Sequence, residues 1–216
     1  MFGIHDLTLF IISGFLLNVM PGPDSLLIMS KSASHGWRAG SIASLGIGSG
    51  VFVHVLAAAL GLSAILASSS TAFTVVKYIG AAYLAYIGVV ALLQKSKTNS
   101  AAASQEKSLL TAPLSMRAVY WQGFLSNALN PKVALFFLAF VPQFINHDAS
   151  SKALAFIILG LIFNFNSMLW CHFLAVSTSL ANKRLKVSHT VSFWLNKMIG
   201  TLFIALGLKL ALAAKN

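Results

Sequence analysis

The sequence is poor in charged residues, especially acidic ones, and has almost no cysteine. Of its 216 residues 9% are charged and four are acidic, whereas 57% are hydrophobic and the mean hydropathy is +0.82. A soluble domain carries about 25% charged residues, so this composition excludes a soluble domain. The single cysteine, Cys171, excludes an intramolecular disulfide framework and a cysteine-rich metal site. The chain is therefore predicted to be an integral membrane protein.

Apolar stretches of about 20 residues predict membrane-spanning helices. The sequence contains six, at residues 5–29, 42–67, 72–93, 119–145, 153–180 and 191–213. The only long connection, 94–118, is rich in Ser, Ala and Lys and is predicted to be a flexible cytoplasmic linker. The predicted fold class is an all-α membrane protein of six transmembrane helices in two three-helix units, 1–93 and 119–216.

Basic residues predict the orientation of the helices. The loops after the first, third and fifth helices carry nine of them: Lys31, Arg38, Lys95, Lys97, Lys107, Arg117, Lys183, Arg184 and Lys186. The other loops and the N-terminal tail carry only Lys152. By the positive-inside rule, the loops with nine basic residues are expected in the cytoplasm and both termini on the outer side of the membrane. The net charge of +11 favours contact with anionic lipid, and without interleaved aromatic motifs no nucleic acid is expected as a partner.

Prolines interrupt the first and fourth predicted helices at related positions. The stretches FLLNVMPGPDSLL (15–27) and FLSNALNPKVALF (124–136) align Phe15 with Phe124 and Asn18 with Asn127. In both, a proline follows the asparagine after three or four residues. A second copy of three helices has the opposite orientation, so the two breaks are predicted to face each other near the bilayer midplane as an inverted repeat.

Each break exposes backbone groups that bind ions. Gly22–Pro23 and Asn130–Pro131 suit the cap and first position of a restarted helix, whose free N–H groups attract an anion. The carbonyls at the end of the preceding half-helix attract a cation. Donors for a carboxylate and acceptors for an ammonium group together indicate a zwitterionic amino acid. The alternative is that the prolines only kink packed helices.

Two opposite charges lie within these predicted spans. An ionised side chain at the centre of a membrane helix costs about 2.5–3.5 kcal/mol, so Asp24 and Lys132 each need a partner or a wet cavity. One interpretation is a structural salt bridge between them. The other is that Asp24 exchanges a proton during transport and thereby releases Lys132 or a substrate amine.

Other polar residues lie within the spans as well. His54 is either packed and hydrogen-bonded or part of a proton relay, because histidine titrates near neutral pH. Asn164, Ser167 and Cys171 share one face of the fifth helix, where hydrogen bonds between helices are expected. The glycines of GIGSG, 46–50, are predicted to allow close helix packing, because no strand or P-loop lysine accompanies them.

Four stretches resemble one family across nearly the whole chain. NVMPGPD, LGIGSG, KYIGAAYLAYIGVVALL and QGFLSNALNPKVALFFLAFVPQF are similar to the lysine exporter and homoserine/threonine exporter family, LysE/RhtB. The resemblance implies a bacterial inner-membrane exporter of amino acids, driven by the proton gradient, with six helices in two inverted halves. The positions that match the family's motifs, and to which the resemblance assigns a functional role, are Pro21, Gly22, Pro23, Asp24, Asn130, Pro131 and Lys132. At position 54 some relatives are expected to have an acidic or polar residue; His54 leaves proton handling there open.

The predicted substrate-binding set consists of these residues with Asn18 and Asn127, and the predicted proton-coupling residues are Asp24 and His54. Because Asp24 is the one carboxylate near the midplane, neutral substrates such as threonine, homoserine or leucine are preferred to basic ones. A divalent metal-ion exporter is the first alternative, although no cluster of carboxylates or thiols supports it. A membrane-embedded enzyme is the second, although neither HExxH nor GxSxG occurs. No cofactor or bound metal is expected, and a homo-oligomer is left open.

Overall fold

A computed structural model describes residues 3–62, 70–93, 115–146 and 149–181, together with scattered positions between 197 and 211. The described helices are α1 (Leu7–Val19), α2 (Pro23–His35), α3 (Trp37–Ala57), α4 (Ser70–Leu93), α5 (Met116–Ala128), α6 (Pro131–Leu135) and α7 (Lys152–Leu180). A single bridge between Ile4 and Ile145 is the only β-type pairing in these residues. The prediction of an all-α membrane protein is confirmed.

The long unbroken helices coincide with predicted spans. The stretch Trp37–Gly61, in which a π-helical turn continues α3, and α7 are each long and apolar enough to cross a membrane. Phe165, Leu169 and Phe173 of α7 are exposed on the outside of the bundle, which suits lipid. The predicted linker lies largely outside the described residues, and so does the predicted sixth helix, whose described positions are helical.

The first and fourth predicted spans are bent pairs of helices. The axes of α1 and α2 differ by 54°, and those of α5 and the segment Pro131–Phe144 differ by 43°. This segment contains α6, a π-helical turn and a 3₁₀ turn. The predicted end of the first span at residue 29 was too early. The helix runs on to His35, because short polar residues and a lysine remain compatible with helix beyond the apolar stretch.

A single residue, Gly36, joins α2 to α3. Its φ of +83° lies in the left-handed region, which glycine tolerates without a steric penalty from a Cβ. The predicted twelve-residue loop between the first two spans is therefore reduced to one residue, and α2 is brought back against α3.

Two clusters of buried side chains lie on either side of the helix breaks. The first, here called the aromatic cluster, contains Phe10, Phe136, Phe137, Phe140, Phe144, Phe156 and Phe163, with Leu17 and Val133 beside them. Its rings approach as closely as 4.8 Å between the centroids of Phe136 and Phe163. The second, the small-residue cluster, contains Ile28, Ala43, Ile47, Val119, Cys171 and Ala175. Aromatic pairs add about 0.5–1.5 kcal/mol each beyond area burial, which strengthens the aromatic cluster.

Close packing of α3 on α5 aligns the second break with α3. A Cβ on Gly46 would collide with the carbonyl of Tyr120, and one on Gly123 would collide with the carbonyl of Ala43. The two backbones therefore touch, as in other small-residue helix interfaces in membranes. The prediction that the GIGSG glycines serve helix packing is confirmed.

Candidate functional site

The first break leaves a helix end without its usual hydrogen bonds. In an α-helix the carbonyl of Leu17 would accept from the N–H of residue 21, but that residue is Pro21. The chain restarts as α2 with Gly22 as cap and Pro23 in the first position, as the sequence predicts. The carbonyls of Leu17 and Met20 are thus free to bind a donor from elsewhere.

The second break repeats this pattern with a different cap. Pro131 deprives the carbonyl of Asn127, four residues earlier, of its helical partner. Asn130 caps the new helix: its Oδ1 accepts from the N–H of Lys132 at 3.0 Å. The predicted cap and first helical position are found at both breaks.

The ammonium group of Lys132 crosses from the second break to the first. Its Nζ donates to the carbonyls of Leu17 and Met20, at 3.1 Å each. A Cβ on Gly22 would lie 3.3 Å from this Nζ, so glycine leaves the room that the ammonium needs. The carbonyls of the first break therefore form a cation site, here called the carbonyl cradle, and Lys132 occupies it.

The carboxylate of Asp24 crosses in the opposite direction. Its Oδ1 accepts from the hydroxyl of Ser126 at 2.6 Å, and its Oδ2 accepts from the Nδ2 atoms of Asn127 at 2.8 Å and Asn130 at 3.1 Å. We call these three donors of the second break the amide cradle. Hydrogen bonds to an ionised group are stronger than neutral ones, so both cradles hold their charges firmly.

Asp24 and Lys132 form no direct ion pair in the described part of the chain. Each charge is instead bound to neutral groups of the opposite break, and both side chains line one cavity. The interpretation of a simple salt bridge between them therefore does not describe this structure. The two charges are separate groups that a third, zwitterionic molecule can bridge.

The cavity between the breaks is small and polar on one part of its wall. Its volume is about 20 Å³, close to the space of a single water molecule. Asn18 and Asn127 line it together with the two charges, as their alignment in the sequence predicts. Among the described residues, Asn18 Nδ2 and Asn127 Oδ1 have no hydrogen-bond partner, which leaves one donor and one acceptor available. Ligand sites usually measure about 300–1,000 Å³, so the breaks are closed against each other here.

His54 lies next to the second break and does not line the cavity. Its Nε2 donates to the carbonyl of Asn127 at 2.9 Å, and its ring stacks on Phe137. Asn127 in turn donates to Asp24, so one residue separates the imidazole from the carboxylate. His54 thus occupies a packed, hydrogen-bonded site that is connected to Asp24.

Several cavity residues were not predicted as site residues. They are Leu17, Ser25, Ile47, Val133, Ser167 and Cys171. Ser126, which binds Asp24, was missed as well. Ser126 and Ser25 directly adjoin predicted site residues, which was an available signal. Ser167 and Cys171 were assigned to a polar helix face, but helix periodicity does not tell which helix that face meets. No three His, Cys, Asp or Glu side chains of the described residues are grouped to hold a metal ion.

Comparison with known proteins gives a family match over most of the chain. The family model described as LysE type translocator matches residues 15–214. The uncharacterized membrane protein YrhP of Bacillus subtilis is 34% identical, over 97% of this chain and 100% of that protein. A protein of Enterobacter sp. named leucine efflux protein is 26% identical over 97% of each chain. One of that name from Klebsiella pneumoniae is also 26% identical, over 97% and 96%. No solved structure gives a significant match.

Proposed function

Because this chain belongs to the LysE-type translocator family and is a transporter rather than an enzyme, we propose that it exports a neutral amino acid from the cytoplasm in exchange for protons. The relatives named leucine efflux protein support this choice of substrate class. The proposed site is the cavity between the two helix breaks.

One observation carries the proposal: the cavity is lined by a carboxylate and an ammonium group that do not pair with each other. An amino acid carries the same two charges on its backbone. Its carboxylate would bind Lys132 and the free Nδ2 of Asn18, and its ammonium would bind Asp24 and the free Oδ1 of Asn127. Substrate binding would thus replace bonds that the protein makes to itself when the cavity is closed.

The remaining cavity wall favours a side chain without charge. The ammonium group of the substrate uses Asp24, and the cavity offers no second carboxylate for a lysine or arginine side chain. Apolar and small polar residues form the rest of the wall. Leucine, threonine and homoserine fit this chemistry.

Asp24 is the proposed site of proton exchange. A proton on its carboxyl group removes the negative charge that binds the substrate ammonium, so proton binding and substrate binding exclude each other. A proton that arrives from the periplasm would then release the substrate, and loss of that proton to the cytoplasm would restore the site. His54, connected through Asn127, is the proposed second group of this path.

We propose that the protein lies in the inner membrane as two inverted repeats, 1–93 and 119–216, with both termini on the periplasmic side. The count of basic loop residues supports this orientation. In that orientation the aromatic cluster faces the periplasm and the small-residue cluster faces the cytoplasm. The aromatic cluster would then close the exit side of the cavity. Contact with anionic lipid belongs to the same proposal.

The test is efflux from vesicles that contain the purified protein and labelled amino acids, with an imposed pH gradient. We expect leucine, threonine or homoserine to leave faster than lysine or arginine. Divalent metal flux in the same vesicles tests the alternative substrate class. Faster export of a basic amino acid than of every neutral one, or metal flux without amino-acid flux, would overturn the proposal.

A further inference from the structure

Part of the cavity wall comes from two unbroken helices, α3 and α7. Ile47 of α3 and Ser167 and Cys171 of α7 line it. Resting on the function proposed above, we propose that these three residues form the subsite for the substrate side chain and decide which neutral amino acid is carried. Recognition of the amino acid is then divided: the broken helices bind its backbone, and the unbroken helices contact its side chain.

The broken helices hold the groups that bind what all amino acids share. Asn18, Asp24, Asn127 and Lys132 supply the charges and free amide groups of the cavity, and all four lie beside a break. The unbroken helices supply no charge to it. A bound amino acid whose backbone is held by the breaks therefore has its variable side chain left for the remaining wall.

The proposed subsite is small, buried and weakly polar. Ile47, Ser167 and Cys171 are 1%, 4% and 6% exposed. The hydroxyl of Ser167 and the thiol of Cys171 lie 3.9 Å apart, a weak contact that either group can give up. Such a wall accepts an aliphatic side chain or a single hydroxyl, and it offers no partner for a charge.

A second observation, an unpaired buried amide oxygen, points to a ligand site in the same cavity. Asn127 is only 2% exposed, yet its Oδ1 has no hydrogen-bond partner in the part of the chain that the structure describes. Buried amide oxygens are nearly always hydrogen-bonded. The same cavity therefore has an unused acceptor on the side of the breaks and an uncharged wall on the side of α3 and α7, which is the arrangement that an amino acid requires.

Changing the volume of the wall tests the subsite. Cys171→Val narrows it, and we expect the ratio of leucine export to alanine export to fall by about tenfold or more, the usual effect of a methylene in an apolar pocket. Val176→Ile is the matched control, because it enlarges an exposed residue of the same helix by one methylene. This control should leave the ratio unchanged.

The unmodified protein offers a second test, in which no residue of the cavity is changed. Cys171 is its single cysteine, so N-ethylmaleimide reacts at one site only. We expect saturating leucine to slow this reaction in vesicles. In a Phe173→Cys, Cys171→Ala variant, the new cysteine replaces a side chain that is exposed on the outside of α7, and leucine should have no effect.

The outcomes separate the subsite from the proposed function. If neutral amino acids are exported but Cys171→Val keeps the leucine-to-alanine ratio and leucine leaves the alkylation unchanged, the subsite is wrong and the function stands. Should Cys171→Val fail to fold, alkylation of the unmodified chain decides alone. A thiol that never reacts also contradicts the subsite, because the open cavity must admit small molecules. If no amino acid is exported or protects Cys171, the proposed function fails.

Discussion

The two helix breaks are built on the same proline rule and satisfied in different ways. Pro21 frees the carbonyl of Leu17, and Pro131 frees that of Asn127. At the first break the free carbonyl binds the ammonium of Lys132, a charged group on a long side chain. At the second it binds His54, a ring held by stacking in the core. The first break therefore has an exchangeable partner and the second a fixed one.

The caps differ in the same sense. Asn130 caps the second break with its own side chain and also donates to Asp24, whereas Gly22 at the first break has no side chain to offer. The first break consequently depends on Lys132, which comes from the second. Each of the following substitutions is expected to widen or remove this difference between the breaks.

Lys132→Met should have the largest effect, since it empties the carbonyl cradle. Hydrogen bonds to charged groups contribute about 1.5–3 kcal/mol each, so loss of both should lower export at least about 100-fold and reduce thermal stability. Measured export and melting temperature check this, with Lys152→Met at the start of α7 as the control. Export close to the unmodified level in Lys132→Met would show that the first break does not need its exchangeable partner.

Asn130→Ala should come next, because it removes a cap and a donor at the second break together. The cap alone contributes about 0.5–2 kcal/mol, so we expect a lower melting temperature as well as weaker export. Asn130→Ser keeps a capping oxygen but has no amide to donate to Asp24, so it should recover stability better than export. Equal recovery of stability and export would mean that the Nδ2 atom of Asn130 is not needed to hold Asp24.

Gly22→Ala should have a moderate and more selective effect at the first break. The new Cβ would lie 3.3 Å from Lys132 Nζ and displace the ammonium slightly. We expect export to fall by roughly tenfold, as a loss of about 1.4 kcal/mol implies, with almost unchanged stability. Gly61→Ala is the control, because a Cβ there meets open space. Equal effects of the two alanines would contradict the requirement for space at the carbonyl cradle.

His54→Gln should have the smallest effect on stability, because the second break has other donors. The carbonyl of Asn127 also accepts from the N–H of Asn130, and the glutamine amide can replace the imidazole donor. Stability and substrate exchange should therefore stay near those of the unmodified chain, whereas gradient-driven net export should fall, because the amide cannot carry a proton. Unchanged gradient-driven net export in His54→Gln would contradict the proposed proton path through the ring.

Sequence reasoning located the charges and missed their partners. The aligned Asn18 and Asn127, and the intramembrane Asp24 and Lys132, were all predicted at the breaks, because charge and proline are rare and costly inside a membrane. That each charge binds the opposite break was not predicted, although counting four residues back from Pro21 identifies the free carbonyl of Leu17. Ser167 and Cys171 were beyond sequence reasoning, because helix periodicity does not specify which helices meet.

The central claim is that Asp24 binds the substrate ammonium and the proton alternately. Asp24→Asn tests it most directly, because the amide keeps nearly the same shape and avoids an unpaired charge. The measurement compares pH-driven net export with exchange of labelled for unlabelled leucine in the same vesicles. We predict that Asp24→Asn loses both net export and exchange, because the neutral amide resembles the protonated carboxyl and lacks the charge that binds the substrate ammonium. Gradient-driven net export by Asp24→Asn at the rate of the unmodified protein would contradict the claim.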